Sequence, residues 1–230
     1  MTEQEYLAIS DPLFLLEFYR RASERKLRLF GVACCRRMWE LLTDKRCQQA
    51  VTAAEQFAEG LISQEAFEEA RWKAVDAYSA FSQQGTPTTP HLLAQEAAAD
   101  AACSVCWADF HPTEEDEAYG AARATCQCLL RAVAHMAGDA AQETSAQVAL
   151  LRCIFRNHFR PVAMDTAWLT TTVKHLGTAI YTDRTFDRLP SLADALEVAG
   201  CTNADILNHC RQPGEHVRGC WALDLVLGTV

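Results

Sequence analysis

The chain has 230 residues, half of them hydrophobic, with 11 cysteines, 10 glycines, 7 prolines and a formal net charge of −9. That length can bury a core without covalent staples, and the acidic balance argues against a general nucleic-acid or anionic-membrane binder. No run reaches the ~18 apolar residues that span a bilayer, and the opening MTEQEYLAISDP lacks the basic and apolar regions of a signal peptide, so the sequence predicts a soluble, cytoplasmic protein.

Taken in order, the punctuation is helical throughout. Thr2-x-x-Glu5 is a capping box, and Asp11-Pro12 starts a second short helix with Asp as N-cap and Pro at the first helical position. Ser23 precedes a helix expected from Glu24 to about Leu42, whose Leu27, Phe30, Cys34, Met38 and Leu41 form one apolar stripe with Arg25, Arg28, Arg36 and Arg37 off it. Asp44 and Gly60 bound the next helix, and Ser63 opens another through Phe81, the two reading as a hairpin. Gly and Pro in residues 85–90 break the pattern and separate segments 1–84 and 91–230.

Beyond that linker, an Ala-rich helix is expected from Leu92 to Trp107, ending at Phe110-His111-Pro112. Thr113 and Asp116 then cap a helix running to about Met136. Further helices are expected at Gln142 to Phe155, Trp168 to Tyr181, Ser191 to Val198, Asn203 to Arg211 behind a Thr202 cap, and His216 to Leu227 after the Pro213-Gly214 turn. The sum is an all-α protein of about ten helices, mostly antiparallel hairpins in one compact domain over 1–230.

Charge is unevenly placed. Arg20 to Arg46 carries a net of +6 and the rest of the chain −15. One account has this basic face packed beside the acidic runs Glu65 to Glu69 and Glu114 to Glu117; the other has the Arg20–Arg37 helix contacting phosphate or nucleic acid. The cysteines sit in apolar helical runs, their count is odd and no secretion signal precedes them, which favours reduced, buried thiols over a disulfide framework.

Three stretches resemble known sequences: KLRLFGVACCRRMWELLTD (26–44), LLRCIFRNHFRPV (150–162) and FDRLPSLADALEVAGCTNADILNHCRQPGEHVRGCWALDLVLG (186–228). Together they resemble an abundant family of uncharacterised bacterial proteins that close with an HCR-x-PG-x-HVRGCW-type segment. The resemblance covers about half the chain. It implies a shared helical fold and a bacterial intracellular setting, and it carries no activity, cofactor or site residue.

Reactive side chains are densest between Cys201 and Trp221, with three cysteines, two histidines and two arginines. Cys201, His209, Cys210, His216 and Cys220 are ligand types suited to zinc, with His216 and Cys220 expected at i, i+4 on one helix face. The alternative has the cysteines as core thiols and His216 capping the turn. Arg211, His216 and Arg218 flank that turn and are candidates for an anion or partner contact, as are Arg36 and Arg37. Cys103-x-x-Cys106 shares a helix face but has no second pair at zinc spacing. Cys34, Cys35 and Cys210 have neighbouring cations, yet no base or oxyanion turn is evident beside them. No motif specifies a reaction. The sequence therefore points first to an interaction or regulatory module that binds another protein, next to a metal-binding or thiol-dependent protein using Cys201–Cys220, and third to a nucleic-acid or phosphate binder.

Overall fold

A computed structural model describes residues 1–83, 87–106, 117–136 and 138–229. Among these the chain is all-α, with twelve α-helices, three short 3-10 turns and no strand. Among the described residues no helix is long and apolar enough to cross a membrane. The chain divides into two compact units, residues 1–148 and 149–230, and the change between them falls inside α8. Residues 84–86, which include the first two of the predicted linker, and the predicted stop and start signals at 107–116 lie outside the described residues.

The N-terminal unit opens with the elements its caps dictate. Thr2 and Glu5 exchange both bonds of the capping box ahead of α1 (Glu3–Leu7), with Thr2 N donating to Glu5 at 2.7 Å and Glu5 N to Thr2 Oγ1 at 3.2 Å. Asp11 Oδ1 accepts from Leu13 N at 2.9 Å at the start of α2 (Pro12–Glu17). The third helix, α3 (Glu24–Arg37), is shorter than its apolar pattern. Met38 leaves helical geometry at φ −109° and ψ 24°, and a 3-10 turn (Trp39–Leu41) takes over. Asp44 caps α4 (Lys45–Ala58) and Ser63 caps α5 (Gln64–Ser82), with Gly60 between them in the left-handed region at φ 68°.

Small residues set the spacing of the remaining helices. In α6 (Pro90–Val105), capped by Thr89, the residues Ala94, Ala98, Ala101 and Ala102 are fully buried and the helix packs along α7 (Glu117–His135). A Cβ on Gly31 of α3 would come within 3.0 Å of Val105 Cγ2, so α3 approaches the end of α6 as closely as glycine allows. The eighth helix, α8 (Ala140–Ile154), starts at an Asp139 carboxylate that accepts from Ala141 N and Gln142 N at 2.9 and 3.0 Å.

The basic helix is matched from within, by acids other than those expected. Arg25 pairs with Glu59 at 3.1 Å, Arg36 with the buried Glu55 at 2.7 Å, and Arg37 holds the buried Glu143 through Nε and Nη2 at 2.8 to 3.2 Å. Arg28, expected merely to lie off the apolar stripe, is itself buried. Its guanidinium covers the rings of Phe57 and Phe67, and its donors reach Val105 O and Glu24. Glu65 to Glu69 take no part in these pairs, and 114–116 lie outside the described residues.

The C-terminal unit takes the end of α8 and then a connector to α9 (Thr171–Asp183), α10 (Leu189–Val198), α11 (Ala204–Arg211) and α12 (Trp221–Leu227). Its core gathers Val173, Ile180, Leu189, Leu192, Leu196, Ile206 and Leu223 with Cys201 and Cys210. The N-cap of α11 is Asn203, one residue later than expected, because its Oδ1 accepts from Ile206 N at 3.1 Å. In α9, Gly177 faces α12, where a Cβ would meet Val226 Cγ1 at 2.9 Å. The last helix begins at Trp221 instead of His216. Gly219, at φ 83°, occupies the left-handed region, which interrupts helical geometry before Cys220.

Candidate metal centre

The irregular stretch between α11 and α12 is what assembles the site. His209 lies in the last turn of α11 and is 6% exposed, while Pro213 and Gly214, the latter at φ 137°, turn the chain back. His216 is half-buried in the returning segment. Cys220 sits at the N-cap position of α12, fully buried, its N–H bonded to Val217 O at 3.1 Å. The fourth member comes from far back in the chain: Cys153, 1% exposed, near the end of α8.

One ligand atom from each of Cys153, His209, His216 and Cys220 lies within 4.8 Å of all the others. Cys153 Sγ is 3.5 Å from His216 Nδ1, and Cys220 Sγ is 3.2 Å from His209 Nε2. A tetrahedron with bonds of about 2.1 Å to nitrogen and about 2.3 Å to sulfur has edges of about 3.4 to 3.8 Å. Two of the observed separations are therefore already at or near coordination spacing, and the rest need only a modest contraction. The His209 ring is held between the edge of His216, centroids 5.0 Å apart, and Trp221, 4.8 Å apart.

The electrostatics favour thiolate where a metal needs it. Burial pushes the Cys220 thiol up, but hydrogen bonds from Cys153, His209 and His216 outweigh burial and hold it well below its ordinary value. For His216 burial acts downward, and the hydrogen bond and charge of Cys220 win, leaving it raised. This is a matched set of two sulfurs and two imidazoles sheltered from water.

Three of the five zinc candidates read from the sequence are in this group and two are not. Cys201 and Cys210 pack into the unit's core, 3% and 1% exposed, where burial raises both thiols. Cys210 follows His209 directly on α11, so the two side chains point about 100° apart around the helix and cannot serve one centre together. His216 and Cys220 do meet, through the turn at Gly219 and not as helical neighbours. In the sequence Cys153 looks like one more core thiol, because its flanks Leu150, Leu151 and Ile154 are apolar and its partner His216 lies 63 residues away.

The anion candidates do not converge. Arg211 reaches back to Asp194 at 2.6 Å and to Glu197 on α10, His216 belongs to the Cys/His cluster, and Arg218 lies over the Tyr181 ring with Nη2 3.4 Å from Tyr181 O. Arg36 and Arg37 face Glu55 and Glu143. The thiols with neighbouring cations are buried: desolvation raises Cys34 and Cys35 well above their ordinary range. Cys106 is pushed up to about 12 and donates to Ala50 O at 3.2 Å, and burial also raises its neighbour Cys103. Such thiols stay protonated at neutral pH.

Comparison with protein-family models, with curated proteins and with solved structures finds no match.

Proposed function

We propose that this chain is a zinc-binding protein, its ion held in the C-terminal unit by Cys153, His209, His216 and Cys220. The observation that carries the reading is the convergence of four ligand atoms within 4.8 Å from three separated stretches of chain. Two thiolates with two imidazoles suit zinc over the hard, oxygen-seeking cations. Four protein ligands fill a tetrahedral shell and leave no position for substrate or activated water, so the centre's role is structural. It clasps the end of α8 to the α11–α12 turn and stiffens the unit. A rigid helical body of this kind supports the interaction or regulatory role read from the sequence, with another protein as partner.

Elemental analysis of protein purified without chelator tests the reading. About one equivalent of zinc per chain is expected. Less than about a tenth of an equivalent, with none taken up on adding zinc to the reduced protein, rejects it.

A further inference from the structure

A histidine that gives one ring nitrogen to a metal must carry its proton on the other, and that N–H needs an acceptor. In both histidines of the centre, the nitrogen facing away from the sulfurs faces the same residue. His209 turns Nε2 to Cys220, and its Nδ1 lies 3.1 Å from the side-chain amide of Gln212. His216 turns Nδ1 to Cys153, and its Nε2 lies 3.5 Å from the main-chain oxygen of Gln212. Gln212 occupies this position because it is the C-cap of α11, where the backbone swings to φ −62° and ψ 140° and its N–H still closes onto Asn208 O at 2.8 Å.

We propose that Gln212 is the positioning residue of the centre, setting the tautomer of both ligand histidines. The inference rests on the zinc reading above. The Gln212 amide and His209 Nδ1 are 3.1 Å apart, and which end of the amide faces the ring selects the tautomer: its nitrogen goes with a ring proton on Nε2, directed at Cys220 sulfur, and its oxygen with a proton on Nδ1. Zinc takes the Nε2 lone pair, so the proton belongs on Nδ1 and the acceptor required there is an oxygen. A half-turn of the exposed Gln212 amide supplies it, since its two ends have the same shape and exchange donor for acceptor. For His216 no exchange is needed, because a main-chain carbonyl only accepts.

The test compares zinc affinity of the full-length reduced protein, by competition with a chromophoric chelator, for wild type, Gln212→Ala and Gln212→Glu. Alanine is expected to weaken zinc by about tenfold to a hundredfold, the range for losing a partner of a ligand histidine. Glutamate, which can only accept, is expected to restore wild-type affinity or exceed it. Nitrogen-15 chemical shifts of the His209 ring are expected to move from Nε2–H to Nδ1–H as zinc is added. Because Gln212 is exposed, melting temperatures of the metal-free variants are expected to match wild type. Equal zinc affinity for all three proteins, or Glu as weak as Ala, overturns the positioning role and leaves the zinc reading standing. A wild type that takes up no zinc overturns both.

Discussion

The guanidinium of Arg28 lies 4.8 Å from the centre of the Phe67 ring and 5.4 Å from that of Phe57, two rings stacked 4.4 Å apart with their planes 2° from parallel. Arg28 is 2% exposed, and its Nη1 donates to Val105 O, 77 residues away, at 3.0 Å. One cation thus joins α3, the α4–α5 hairpin and the last turn of α6. Replacing it with Ala removes a desolvated cation–π contact and the long-range hydrogen bond to Val105 O, for an expected loss of about 3 kcal/mol of stability in urea unfolding. Arg28→Lys keeps the charge but not the fork, and should recover only part of that loss.

Arg37 and Glu143 make the second long-range tie. The carboxylate is 7% exposed and receives three hydrogen bonds from one guanidinium. Arg37→Ala strands a buried negative charge, so it should cost about 3 to 5 kcal/mol, more than Glu143→Gln, which leaves a neutral amide able to accept. A double-mutant cycle by chemical denaturation measures the coupling. The same pairing bears on nucleic acid. With Arg25, Arg28, Arg36 and Arg37 each turned to a carboxylate of this chain, Arg36→Ala and Arg37→Ala are expected to lower stability while leaving any salt-dependent DNA retention unchanged.

Gly177→Ala puts two principles in opposition. Alanine gains about 1 kcal/mol of helix propensity over glycine, while overpacking costs about 1 to 3 kcal/mol. The obstructing atom is Val226 Cγ1 at 2.9 Å, on a stiff branched side chain that cannot swing away cheaply. The clash should win, giving a net destabilisation of about 1 kcal/mol that Val226→Ala reverses in sign for the Gly177→Ala step. Thermal unfolding of the four proteins decides it.

The ligand set is tested by which cysteines matter. Cys153→Ser and Cys220→Ser should each abolish stoichiometric zinc, whereas Cys201→Ser and Cys210→Ser should retain about one equivalent per chain. Zinc content after equal purification of the four variants is the measurement. A chelator should lower the melting temperature of wild type and leave that of Cys220→Ser unmoved.

The legible parts of the sequence were those set by neighbours. Thr2 with Glu5, Asp11 with Pro12, Asp44, Ser63 and Gly60 each act within four residues, so their pattern is their structure. The start of α12 escapes local pattern for the same reason. His216 to Leu227 keeps a helical spacing, and nothing in that spacing reports that Gly219 takes a left-handed φ. By local pattern Cys153 is an ordinary core thiol and Arg28 an off-stripe cation, because what defines them lies far along the chain, at His216 and at Val105. Composition identified the chemistry of His209, His216 and Cys220, but local pattern could not separate Cys153 from the other cysteines in apolar runs.

The separation of 63 residues between Cys153 and His216 also sets a clock. At about 5 to 20 residues per second, a ribosome needs about 3 to 13 s to make the stretch between them. During that interval Cys153 exists without His209, His216 or Cys220, the three groups it meets in the folded chain. Closure of the centre is therefore paced by translation and not by the microsecond search of a finished chain, and a nascent Cys153 is open to alkylating agents and oxidants until its partners emerge.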